Sequence, residues 1–229
     1  MFFSAQLIQR TESLRMLFFW FLLCCSAWVV ECALSPSLIT CGSLMKLLNA
    51  DYNVRLHSHD VQYGSGSGQQ SVTAIDDVSE AGSYWKIMGP NGAAPCSRGK
   101  PIKCGSTVRL THVVTKKNLH SHHFQSPLSK NYEVSAFGVD GVGDEGDDWK
   151  LHCDSSFWKR GEPFKLQHIS TAGYLHISGR TFGQPISGQY EVAASKSSAY
   201  GSRWKSAEGV YVQPPEPESG NQSIERDEL

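Results

Sequence analysis

The chain has 229 residues, with 21 Lys and Arg set against 22 Asp and Glu, and its formal net charge at pH 7 is −1. With 40% hydrophobic residues, this balance describes a soluble globular protein and excludes the basic field that a nucleic-acid binder needs.

Arg10 and Arg15 precede an apolar run from Met16 to Val30 in which Ser26 is the one polar side chain. A charged flank, an apolar stretch and then small residues are the parts of a secretory signal, which assigns residues 1–33 to a signal peptide cleaved between Ala27 and Ala33. The competing reading, an uncleaved anchor, meets a run shorter than the roughly 20 residues a spanning helix needs. No second stretch of that kind follows, so no membrane span is expected in the mature form.

Residues 34–212 carry a threefold self-similarity, which is sought before anything else because it decides the fold. Met45-Lys46-Leu47, Val108-Arg109-Leu110 and Phe164-Lys165-Leu166 share an apolar, basic, apolar pattern. Nine residues on, each copy has a leucine followed by histidine: Leu56-His57, Leu119-His120 and Leu175-His176. The copies are offset by 63 and 56 residues at every one of these positions. Each closes on tryptophan and lysine: Trp85-Lys86, Trp149-Lys150 and Trp204-Lys205. The repeats therefore span about 37–91, 99–154 and 156–210.

Alternation such as Val108/Leu110 and Val210/Val212, punctuated by Gly, Asn, Ser and Pro, argues short strands. A unit of about 50 to 60 residues with short strands buries too little surface alone. Three copies must share one core, and three are too few for a propeller. The predicted fold is all-β, a β-trefoil of three pseudo-threefold repeats with about twelve short strands. Met45, Leu47, Leu56, Trp85 and their counterparts point inward, each burial contributing about 1.5 to 3 kcal/mol, and the tryptophans read as core.

Within repeat one, the run Tyr63, Gly64, Ser65, Gly66, Ser67, Gly68, Gln69, Gln70 is glycine-rich without the Gly-Lys-Ser/Thr of a P-loop. It reads as an exposed loop that touches a partner. His57 with His59, and His120 with His122, have the i, i+2 spacing that puts two imidazoles on one strand face. Their recurrence by symmetry favours hydrogen-bonded corners or a polar partner-facing surface over zinc, and no metal or cofactor is expected. The carboxylates of Asp140 to Asp148 fail the EF-hand spacing and read as a solvated acidic loop. No nucleophile elbow is present.

Cys24, Cys25 and Cys32 leave with the signal, so Cys41, Cys96, Cys104 and Cys153 remain for an oxidising compartment. Cys41 and Cys104 open repeats one and two, while Cys96 and Cys153 follow their closing tryptophans. If the first and last strands of a repeat run antiparallel side by side, Cys41 pairs with Cys96 and Cys104 with Cys153. A local Cys96 to Cys104 bridge is the competitor.

Residues 213–229 form a polar tail, with a glycosylation sequon at Asn221. It ends in Arg226, Asp227, Glu228 and Leu229, which match the K-D-E-L type of retention signal at all but the variable first place. Secretory entry and retention together place the protein in the endoplasmic-reticulum lumen.

Cys41-Gly42-Ser43, Lys46 to Asn49, Val54 to Asp60, Tyr63 to Thr73, Arg109 to His112, Asn118 to Phe124, Ser126 to Ser129 and Glu133 to Gly138 together resemble the stromal cell-derived factor 2 and factor 2-like family. The likeness covers about Ile39 to Val212. It implies three MIR repeats in a β-trefoil and no catalytic activity. It implies service in lumenal chaperone complexes beside an Hsp70-type chaperone and a J-domain co-chaperone, handling misfolded clients. The alternative is a lectin-like trefoil that binds glycans or assists O-mannosylation; a mannosyltransferase itself is weakest, for want of its many membrane spans.

Overall fold

The computed structural model describes residues 38–214. The signal run, the sequon at Asn221 and the tetrapeptide Arg226 to Leu229 lie outside the described residues. Among those described, no helix is long and apolar enough to cross a membrane.

Repeat one supplies β1 (Leu44–Asn49), β2 (Arg55–Gln62), β3 (Gln70–Ile75) and β4 (Trp85–Met88). Repeat two supplies β5 (Thr107–His112), β6 (Asn118–Gln125), β7 (Tyr132–Phe137) and β8 (Trp149–His152). Repeat three supplies β9 (Lys165–His168), β10 (Tyr174–Thr181), β11 (Tyr190–Ser195) and β12 (Trp204–Val210).

The pairings are those of a β-trefoil. Strands β1, β4, β5, β8 and β9 pair in succession, and β12 returns to pair with β1. A bridge between Phe164 and Trp204 closes the ring. The hairpins β2–β3, β6–β7 and β10–β11 join through β3–β7, β7–β11 and β11–β3, which completes a triangle. The register repeats with the fold: Met45 stands opposite Trp85, Val108 opposite Trp149 and Phe164 opposite Trp204.

This symmetry explains the sequence pattern residue by residue. The apolar members of each motif and the three tryptophans are buried in one core. Each indole N–H donates to the carbonyl of the leucine that precedes the repeat histidine: Trp85 to Leu56 (3.1 Å), Trp149 to Leu119 (2.9 Å) and Trp204 to Leu175 (2.9 Å). The polar end of a buried indole is thereby satisfied.

The basic member of each motif has a shared task. Lys46 is buried, donates from Nζ to the carbonyls of Val78 (2.6 Å) and Glu80 (2.8 Å), and lies 4.5 Å from the centroid of the Tyr84 ring. Arg109 donates to Gly89 and Gly141, and Lys165 to Ser198. In all three repeats the cation ties down the loop that leads into the closing tryptophan.

Cys41 is bonded to Cys96 and Cys104 to Cys153, with Cα separations of 6.1 and 5.5 Å. Each bridge links the opening of a repeat to the segment that follows its last strand. At the matching place in repeat three stands Arg160, 56 residues after Cys104. Its guanidinium lies 3.9 Å from the centroid of the Tyr211 ring. A cation on an aromatic face occupies the seam that two other repeats close covalently.

Candidate functional site

The paired histidines sit where each hairpin meets the turn before the closing tryptophan. His57 packs on Gly82, His120 on Gly146 and His176 on Gly201, so closely that a Cβ at any of these glycines would run into the ring. Only a residue without a side chain lets the backbone approach an imidazole this way. Sequence reasoning missed these three glycines, although each stands three residues before a closing tryptophan.

The glycine carbonyl is held from the neighbouring repeat. His112 Nε2–H donates to Gly82 O (2.9 Å), His168 Nε2–H to Gly146 O (2.9 Å) and Asn49 Nδ2 to Gly201 O (2.7 Å). On the other ring face, Nδ1 of His112 and of His168 accepts from Thr115 and Thr171 Oγ1, both at 2.8 Å. This arrangement needs the neutral imidazole. Burial holds His57 and His168 down to about 4 and lowers His59, His112 and His176 as well.

The corners differ in their partners. His57 Nδ1 faces Ser83 Oγ at 3.4 Å and its Nε2 faces His59 Nδ1 at 2.9 Å. His120 Nδ1–H donates to Asp147 Oδ1 at 2.9 Å. His176 Nδ1 is buried with no partner among the described residues. The acidic segment is thus only partly the solvated loop expected from its composition. Asp147 is fully buried, also accepting from Asn118 Nδ2 (2.9 Å) and Asp144 N (3.1 Å) in a capping box. His120, Asp144 and Asp147 bring ligand atoms within 4.8 Å of one another. Asp147, however, is committed on both oxygens to internal donors.

The glycine-rich loop proves to be a strap between repeats. The Tyr63 ring is buried, and its hydroxyl lies within hydrogen-bond reach of the carbonyls of Val72 (2.9 Å) and Val134 (3.0 Å). Ser67 donates from Oγ, and from N at 3.4 Å, to the buried carboxylate of Glu133 in repeat two. Gln69 Oε1 accepts from Ser135 Oγ. Gln70 is buried, with Nε2 donating to Ser58 (2.8 Å) and Thr115 (2.9 Å).

Of the residues assigned to partner contact, Tyr63, Gln70, His57 and His120 therefore face inward. Gly64, Ser65 and Gly66 are exposed, and Gln69, His59 and His122 are half-buried. The reason is the cyclic use of buried polar groups: the Glu133 carboxylate holds the first hairpin loop, the Glu191 carboxylate accepts from Leu128 N (2.7 Å) and Ser129 N (3.0 Å) of the second, and the Thr73 hydroxyl donates to Gln189 of the third. A buried carboxylate needs such donors.

Surface cavities lie at seams between repeats, and two of them stand out among the described residues. The one between repeats two and three, about 750 Å³, is polar, with His152, Asp154, Lys165, Tyr174 and Arg203 in its walls. Its cations are spent internally, Lys165 on Ser198 O and Arg203 on Asp51. The second, of about 520 Å³, lies between repeats one and two, with Val210 and Val212 from the end of repeat three also in its walls.

Residues 46–156 match the MIR domain. The chain is 52% identical over 189 residues to human stromal cell-derived factor 2, covering 82% of this chain and 89% of the relative. The crystal structure of the SDF2-like protein from Arabidopsis thaliana is 44% identical, with a TM-score of 0.75 over 78% of this chain and 99% of that one. The S. cerevisiae protein O-mannosyltransferase Pmt1–Pmt2 complex bound to the sugar donor is 26% identical, with a TM-score of 0.68 over 79% of this chain and 27% of that one. Repeat offsets, register and near-full-length likeness agree, and the chain belongs to the stromal cell-derived factor 2 family of MIR-domain proteins.

Proposed function

We propose that this chain is a non-catalytic adaptor of the endoplasmic-reticulum lumen, joining a J-domain co-chaperone and an Hsp70-type chaperone in the handling of misfolded proteins. The observation that carries the reading is the signal-type run Met16 to Val30 together with the K-D-E-L-like tetrapeptide Arg226 to Leu229, on a chain of this family. The stapled loops support it, because a surface held fixed before binding loses less entropy on docking. Immunoprecipitation from crosslinked lumen is expected to recover both chaperones. Recovery of neither would sink the reading.

A second reading, carbohydrate recognition, draws on the likeness to the mannosyltransferase complex and on the polar cavity with Tyr174 and His152 in its walls. A glycan array on which the mature chain finds no ligand rejects it.

A further inference from the structure

The cavity between repeats one and two is unlike its counterpart. Its walls include Leu44, Met88, Val142 and Val210. Val142 and Val210 are 74% and 67% exposed. Val139, bridged to Val142, extends this apolar surface at 73% exposure. Isolated exposed valines are ordinary, but three of them gathered at a cavity form a patch of the sort that marks interaction sites.

The fold does not impose this character. Three residues after the closing tryptophan stands Met88 in this cavity and His152 in the polar one. The cations differ too. Lys86, Arg98 and Lys116 line the cavity, with Asp140 as the one acid. None of the three cations forms an ion pair among the described residues. Lys116 donates to Val113 O (2.6 Å).

We propose that this groove is a docking site for an extended peptide segment of another protein, with apolar side chains flanked by carboxylates. Apolar side chains would leave water against Leu44, Met88, Val142 and Val210, and the carboxylates would meet Lys86, Arg98 and Lys116. A concave floor suits inserted side chains better than a flat lipid surface. The inference deepens the adaptor reading by naming a face and a ligand chemistry, and rests on it for the setting.

The test is fluorescence anisotropy with the purified mature chain and a labelled decapeptide alternating Val or Leu with Glu, beside its isomer with Lys in place of Glu. The Glu peptide is expected to bind saturably and the Lys isomer at least tenfold more weakly. Val142→Asp, on an exposed loop, should lower affinity for the Glu peptide at least tenfold with an unchanged thermal midpoint. Lys86→Glu with Arg98→Glu should lower it similarly and raise affinity for the Lys isomer.

Equal affinity across these variants, or equal binding of the two peptides, overturns the proposal. So does Val142→Asp abolishing adsorption to phosphatidylserine vesicles, or dissolving a dimer, while peptide binding is absent. Peptide binding that emerges only on truncation after Pro214 makes the chain's own tail the occupant and overturns it as well. Loss of chaperone recovery from lumen with peptide binding intact would fault the adaptor reading alone.

Discussion

Two of the cavities at the seams of this protein occupy equivalent places and are built to different chemistry. Between repeats two and three Arg203 is paired with Asp51, and Lys165 donates to Ser198 O. Between repeats one and two, none of Lys86, Arg98 and Lys116 forms an ion pair among the described residues, and most of the wall surface is apolar. What the seams share is interior: a buried tryptophan, a disulfide, a histidine on a glycine. The threefold repeat therefore builds the scaffold, while departures from it at the surface carry specificity.

The largest effect should fall on the shared part. Trp85→Ala and Trp149→Ala are each expected to cost about 3 to 5 kcal/mol, since each removes a fully buried ring and strands the carbonyl of Leu56 or Leu119. Urea unfolding of both variants should give like losses. A cheap substitution in one repeat would break the equivalence.

The seams come next. Replacing Cys104 and Cys153 by Ser, or Cys41 and Cys96, should cost about 2 to 4 kcal/mol in either case. In the third seam, Tyr211→Ala removes a cation–π contact worth about 0.5 to 2 kcal/mol together with some packing. Thermal midpoints of the three variants should rank accordingly, with the third seam the softest.

The histidine corners set a pH window. His57 and His168 titrate near 4 when folded, against an ordinary 6.5 in the unfolded chain. Between those values the unfolded chain binds the extra protons. Stability should therefore be complete above pH 6.5 and decline as pH falls towards 4, at most about 1.4 kcal/mol per pH unit for each proton. Denaturant midpoints across that range check it, and His57→Gln should flatten the curve. The smallest effect is on the groove: Val142→Asp should change stability by less than about 0.5 kcal/mol.

Much of the scaffold was legible in sequence because symmetry writes the same constraint three times. Offsets of 63 and 56 residues exposed the inward leucines, and the closing tryptophans and cysteines recur at nearly the same spacing. The purpose of Lys46, Arg109 and Lys165 was not legible, because each acts on carbonyls far along the chain that no local pattern marks. Tyr63 and Gln70 looked like an exposed loop for the same reason: their buried partners include Val134 and Thr115 of the next repeat. The groove was invisible, since Leu44, Met88, Val142 and Val210 come from four separated segments and meet only in the fold.

The central claim, that the symmetric interior supports and the asymmetric groove binds, is tested most directly by titrating purified variants with the labelled Glu peptide while recording thermal midpoints. The account predicts that His57→Gln lowers the midpoint and keeps the affinity, whereas Val142→Asp keeps the midpoint and loses affinity at least tenfold. Affinity that falls in step with the midpoint across both variants would contradict it.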